Sequence, residues 1–134
     1  MTTAEQLAAE KYLAFTTFRR SGAPVTTPVW VVPVSDGRLG FWTAMGTGKT
    51  KRLRHDPRVR VEPCDVRGRT QESTSPVDGQ AEMVRSGAFF DEVQGRVREK
   101  YGWMTTVTRL LARLGPQGRR GLGYADTVVL VRLD

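Results

Sequence analysis

A chain of 134 residues with 39% hydrophobic and 26% charged content has the makeup of one folded globular domain, with no disordered or low-complexity block. Its single cysteine, Cys64, excludes an internal disulfide and a cysteine-based zinc site, and its single histidine, His55, lies on a different predicted element, which discounts a Cys/His dyad. A net charge of +7 calls for an acidic partner: nucleic acid, an anionic membrane surface or an acidic small molecule.

The opening residues lack the basic region and apolar run of a secretory signal, and no apolar run reaches bilayer length. A cytoplasmic protein without a membrane partner is expected. Thr3-Ala4-Glu5-Gln6 has the form of a capping box, with Leu7, Ala8, Lys11 and Tyr12 at helical spacing behind it. Leu13 to Arg19 is a predicted strand, turned by Arg20-Ser21-Gly22-Ala23. Val25 to Val34 follows, then Ser35-Asp36-Gly37, a hairpin signal, and Arg38 to Ala44 is the returning strand. In the second strand Val29, Trp30, Val31, Val32 and Val34 place apolar groups on both faces. Its outer face therefore needs a cover: a helix, a second subunit or a flat ligand. Pro28 and Pro33 interrupt the ladder, which calls for a bulge or an edge position.

A glycine-bearing turn then leads into a basic helix, Lys49 to Arg54, which Asp56-Pro57 stops. His55, just beyond, reads as a cation favoured by the helix dipole rather than as a catalytic group. Arg58-Val59-Arg60-Val61-Glu62 alternates as a half-buried strand, and Val66 to Ser75 is a polar loop or irregular edge. Val77 to Val84 resumes as a strand with a predicted bulge at Gly79. Ser86 is the predicted cap of a helix with Phe89, Phe90, Val93, Val97 and Tyr101 as its apolar stripe. A second helix over Met104 to Leu114, a connector from Gly115 to Gly121 and a closing strand from Thr127 to Leu133 complete the series. About six hairpin-linked strands with late helices and no alternating βαβ order describe a small antiparallel barrel.

Chemistry concentrates at Phe41 to Leu53. A strand ending in a glycine turn and entering a helix leaves backbone N–H groups free, and Thr47, Thr50 and Lys49 converge there, a combination suited to phosphate. A Walker loop is not the explanation, because Thr43 stands where its first glycine belongs and the strands are joined by hairpins. The competing reading is a solvated basic helix face. Other cations cluster at Arg67 and Arg69 and at Arg113, Arg119 and Arg120. No zinc finger or aromatic RNA-reading strand accompanies them, so a nucleic-acid partner is not expected. With so few side chains able to do chemistry unaided, an enzyme here needs a bound coenzyme.

Four motifs in order carry a resemblance: Tyr12 to Thr17 with Ser21-Gly22; Pro24 to Trp30; Phe41-Trp42-Thr43; and Thr47 to Leu53 closing on His55-Asp56-Pro57. The chain resembles the split β-barrel flavin- and deazaflavin-binding superfamily that includes pyridoxamine 5′-phosphate oxidase, and looks closest to its F-420-dependent oxidoreductase branch. The resemblance implies a six-stranded antiparallel split β-barrel over residues 1–134, acting as a homodimer with coenzyme F-420, or alternatively FMN, at the subunit interface. It implies that Thr47, Gly48, Lys49 and Thr50 grip the coenzyme phosphate. Trp42 and Thr43 would border the coenzyme, and Pro28, Val29 and Trp30 would line its ring. Arg52 departs from the family pattern, which commonly has Asn there, yet a cation suits a longer acidic tail. Lys51, Arg119 and Arg120 add to that charge, which favours F-420 over FMN. The implied activity is hydride transfer to an unsaturated acceptor, and a carrier of a flavin, deazaflavin or tetrapyrrole without turnover is the non-enzymatic alternative.

Overall fold

The computed structural model describes residues 3–44, 46–71, 74–102 and 126–134. The predicted helix over 104–114, the connector after it, and Arg113, Arg119 and Arg120 lie outside the described residues. The elements are α1 (Thr3–Ala8), β1 (Leu13–Phe18), β2 (Pro24–Val29), β3 (Val32–Pro33), β4 (Leu39–Thr43), α2 (Gly48–Leu53), β5 (Arg58–Pro63), β6 (Val77–Val84), α3 (Ala88–Tyr101) and β7 (Thr127–Leu133). All strand pairs are antiparallel, in the order β2-β1-β5-β6-β7-β4-β3.

The two ends of that order are consecutive in the chain. Only Trp30 and Val31 separate β2 from β3, so the opposite edges of the sheet approach within about 10 Å of chain reach. The sheet is thereby curled into a barrel of six staves, one of them broken. The strand expected over Val25 to Val34 is thus two strands, and Pro28 and Pro33 do sit on the two edges, where a missing N–H costs no ladder bond.

Alternation fills the barrel. Leu13, Phe15, Val29, Val31, Leu39, Phe41, Val59, Val61, Val129 and Val131 form its interior, with Phe15 and Phe41 edge to face at 4.7 Å. A second cluster lies outside, where α3 packs Val93, Val97 and Tyr101 onto Val32, Val34, Val128 and Leu130. The outer cover that the Val29 to Val34 run required is therefore, over this patch, a helix. At Gly40 a Cβ would stand 2.7 Å from Val93 Cγ2, so the absent side chain is what lets α3 come so close.

The break in the sixth stave is pinned by the end of α3. Val31, only 1% exposed, donates its N–H to the Tyr101 hydroxyl at 2.9 Å, and that hydroxyl donates to the Lys11 carbonyl at 2.7 Å. The Lys100 ammonium donates to the carbonyls of Val31, Ala8 and Glu10 at 2.6–2.7 Å. One Lys-Tyr pair thus satisfies backbone groups that neither the ladder nor α1 can.

Four expectations need correction. The helix at the start ends at Ala8, before Lys11 and Tyr12. Helix α3 starts after Gly87, which makes no side-chain capping bond, so Ser86 is not the cap. Phe89, in the first turn of α3, is 37% exposed with the Arg38 guanidinium over its ring at 4.9 Å, so it is not part of the buried stripe that Val93, Val97 and Tyr101 form. Gly79 is in regular register with Val59 and Leu133 rather than in a bulge; it is required because a Cβ would meet the Arg132 carbonyl oxygen at 2.5 Å.

Candidate functional site

The exit of β4 builds the site. Gly46 takes φ 89°, and Thr47, extended at φ −69°, ψ 163°, caps α2. Thr50 is fully buried; its hydroxyl accepts from the Gly46 N–H at 3.1 Å and donates to the Thr47 carbonyl at 2.9 Å. That hydroxyl shapes the turn that presents Thr47 and Lys49, which is how Thr50 supports the expected phosphate grip.

Lys49 differs in kind. It is half-buried and makes no hydrogen bond or ion pair with a described residue. Burial, and then the charge of Arg52, push its pKa down. Arg52 is braced by Nε–H donation to the buried Thr17 hydroxyl at 2.5 Å. Its guanidinium folds back against the start of the helix, where a Cβ at Gly48 would lie 2.7 Å from one of its nitrogens. Burial, and then Arg19, push the Arg52 pKa down as well. Two cations are thus held side by side, partly out of water, and among the described residues no carboxylate pairs with either. An anion placed there would relieve both the desolvation and the mutual repulsion.

The expected ring-lining segment is split between inside and outside. Val29 points into the barrel core, Pro28 is exposed opposite Ala14, and Trp30 lies outside the barrel, partly buried. Trp30 stacks on Tyr101 at 4.5 Å with 9° between planes, and stands 6.4 Å from Trp42. Trp42 and Thr43 are the last residues of β4, and five residues of chain separate Thr43 from Lys49. Trp30 and Trp42 pack against the outer cluster beneath α3, while Thr47, Gly48, Lys49 and Arg52 gather at the start of α2. Only backbone contacts remain available to Val29.

Sequence reasoning missed Arg19 and Arg20. They close the β1–β2 turn, and pairing carries them beside α2, where Arg20 meets the His55 ring at 3.0 Å. The sequence shows only two arginines immediately before a Ser-Gly turn; their meeting with α2, across 35 residues, is set by the fold. Among the described residues no group of three or more metal-ligating side chains exists, and no helix is long and apolar enough to cross a membrane.

Among curated proteins none matches the chain significantly. Of solved structures, HupZ from Group A Streptococcus is similar at a TM-score of 0.65 with 15% identity, over 100% of this chain and 90% of that one. An F-420 reductase matches at 0.58 and 20% identity, over 100% and 95% of the two chains. HutZ, the heme storage protein of Vibrio cholerae, matches at 0.64 and 17%, over 97% and 84%. At such identities these likenesses establish the fold and nothing finer. The family model described as pyridoxamine 5′-phosphate oxidase matches residues 2–124, and the chain therefore belongs to the pyridoxamine 5′-phosphate oxidase family.

Proposed function

We propose that the chain is an oxidoreductase that binds a phosphorylated flavin-type coenzyme, F-420 in preference to FMN, and exchanges a hydride with a small unsaturated organic acceptor. The observation that carries this reading is Lys49: a half-buried ammonium beside Arg52, unpaired among the described residues. When bound, the coenzyme supplies the hydride chemistry that the chain's own side chains lack. Lys49 and Arg52 hold the phosphate, with the hydroxyl and amides of the Thr47–Gly48 turn around it. Trp30, stacked on Tyr101, and Trp42, tilted 39° to it, offer apolar surface that orients a ring and excludes water from one side. The proposal includes a single domain acting in the cytoplasm as a homodimer, with the partner subunit completing the ring pocket. The excess of cations over phosphate-binding needs supports F-420, whose tail carries further carboxylates.

Titrating the purified protein with F-420 and with FMN, then mixing it with reduced F-420 and a panel of enones and quinones, tests the reading. Tighter binding of F-420 with oxidation of its reduced form is expected. Tight binding without oxidation would make the protein a carrier, and absence of binding by either coenzyme would overturn the proposal.

A further inference from the structure

Most described arginines outside this end of the barrel have a carboxylate: Arg38 pairs with Asp36 and Glu82, Arg58 with Asp56, Arg60 with Asp78, Arg69 with Asp65, Arg85 with Asp126 and Arg96 with Glu92. One cavity breaks the pattern. It measures about 170 Å³ and is lined by Phe18, Arg19, Arg20, Lys51, Arg52 and His55, with no carboxylate among them. Its cations come from two elements, the β1–β2 turn and α2, and none pairs with a described acid.

The walls are not uniformly polar. Phe18 supplies a ring whose position is held by the guanidiniums of Arg58 and Arg60 at 5.3 and 5.6 Å from its centroid. The hydrocarbon stems of the arginines and Lys51 extend that apolar surface and leave their charged heads at the rim. Arg20 is oriented by the His55 ring at 3.0 Å, and Arg52 by Thr17 at 2.5 Å. A bare inorganic ion would leave the phenyl surface uncovered, and a neutral apolar molecule would leave the cations unpaired. The complementary ligand has a flat hydrocarbon body and an anionic head, within a volume several times a water's share of about 30 Å³.

We propose that this cavity is a binding site for a small aromatic carboxylate, separate from the phosphate grip but sharing Arg52 with it. Arg20 and Lys51 engage the carboxylate from the rim, and Phe18 receives the ring. Because both anions draw on Arg52, each weakens the other, by the same factor in both directions. This inference does not require a coenzyme to bind.

Benzoate is the probe, titrated by calorimetry, with acetate as the head alone and benzyl alcohol as the body alone. Benzoate should bind at least tenfold tighter than either. Arg20→Ser, at an exposed position with unfolding unchanged, should weaken it about ten- to a hundredfold, the loss of one hydrogen bond to a charged group. Lys51→Ser should act in the same direction. Acetate binding as tightly as benzoate, or benzoate binding equally to both variants, would overturn the site. With FMN present, the benzoate dissociation constant should rise two- to tenfold, and an unchanged value would overturn the sharing of Arg52. If FMN does not bind at all, the coenzyme reading fails, while the benzoate comparisons still decide this one.

Discussion

Removing one oxygen at Tyr101 should cost far more than its volume suggests. Tyr101→Phe keeps the ring and its stack on Trp30 but deletes the hydroxyl that joins Val31 to Lys11. The Val31 N–H, in a residue 1% exposed, loses its acceptor, a penalty of about 1–3 kcal/mol for an unsatisfied buried donor. The Lys11 carbonyl loses a bond with a net value of about 0.5–1.5 kcal/mol. Together the variant should be destabilised by about 1.5–4.5 kcal/mol, seen as a lower midpoint in urea with an unchanged slope. Burial pushes the Tyr101 pKa from its ordinary 10.0 up to about 12. A pKa raised on folding gives stability that is complete below about pH 10 and is lost as pH rises through 12. The gap between wild type and Tyr101→Phe should therefore shrink across that window. A difference under about 0.5 kcal/mol at neutral pH would refute the role assigned to the hydroxyl in holding the broken stave.

Gly40→Ala should destabilise by about 1–3 kcal/mol through overpacking, because its Cβ would meet the buried Val93 and Val34 at 2.7 and 3.0 Å; an unchanged urea midpoint would show that α3 can retreat without cost. Burial, aided by Asp65, Glu62 and Glu10, pushes the Cys64 thiol from 9.0 up to about 11. At pH 8 that cuts its thiolate about a hundredfold, and the stronger nucleophile recovers about tenfold, so reaction with an aromatic disulfide should run about tenfold slower than for a free thiol. A rate equal to that of glutathione would contradict it.

Segments bounded by turn residues and patterned on one face were legible in the sequence: Val77–Val84 and Thr127–Leu133 are strands with the predicted limits. The Val25 to Val34 run was harder, because apolar residues on both faces conceal the residue at which a strand leaves one sheet edge for the other. Its two prolines carried the edge signal, but the break at Trp30–Val31 is stabilised by Lys100 and Tyr101, some 70 residues away, where local pattern is silent. The same holds for Gly79, whose need is set by a neighbouring carbonyl rather than by its own strand. At the site, Lys49 and the Thr47 turn were readable because cap, glycine and cation are contiguous. The partners of the Thr50 hydroxyl were not readable, because only the folded turn shows where it goes. Arg19 and Arg20 join the site through β-pairing, which composition does not report.

Lys49→Met, measured for both coenzyme affinity and stability, bears most directly on the anion grip. The native ammonium is held against burial and against Arg52, so its removal should leave the protein as stable as wild type or more so. The same change should weaken F-420 and FMN by about 1.5–3 kcal/mol, roughly ten- to a hundredfold in dissociation constant. Unaltered affinity for both coenzymes in a folded Lys49→Met protein would contradict the account.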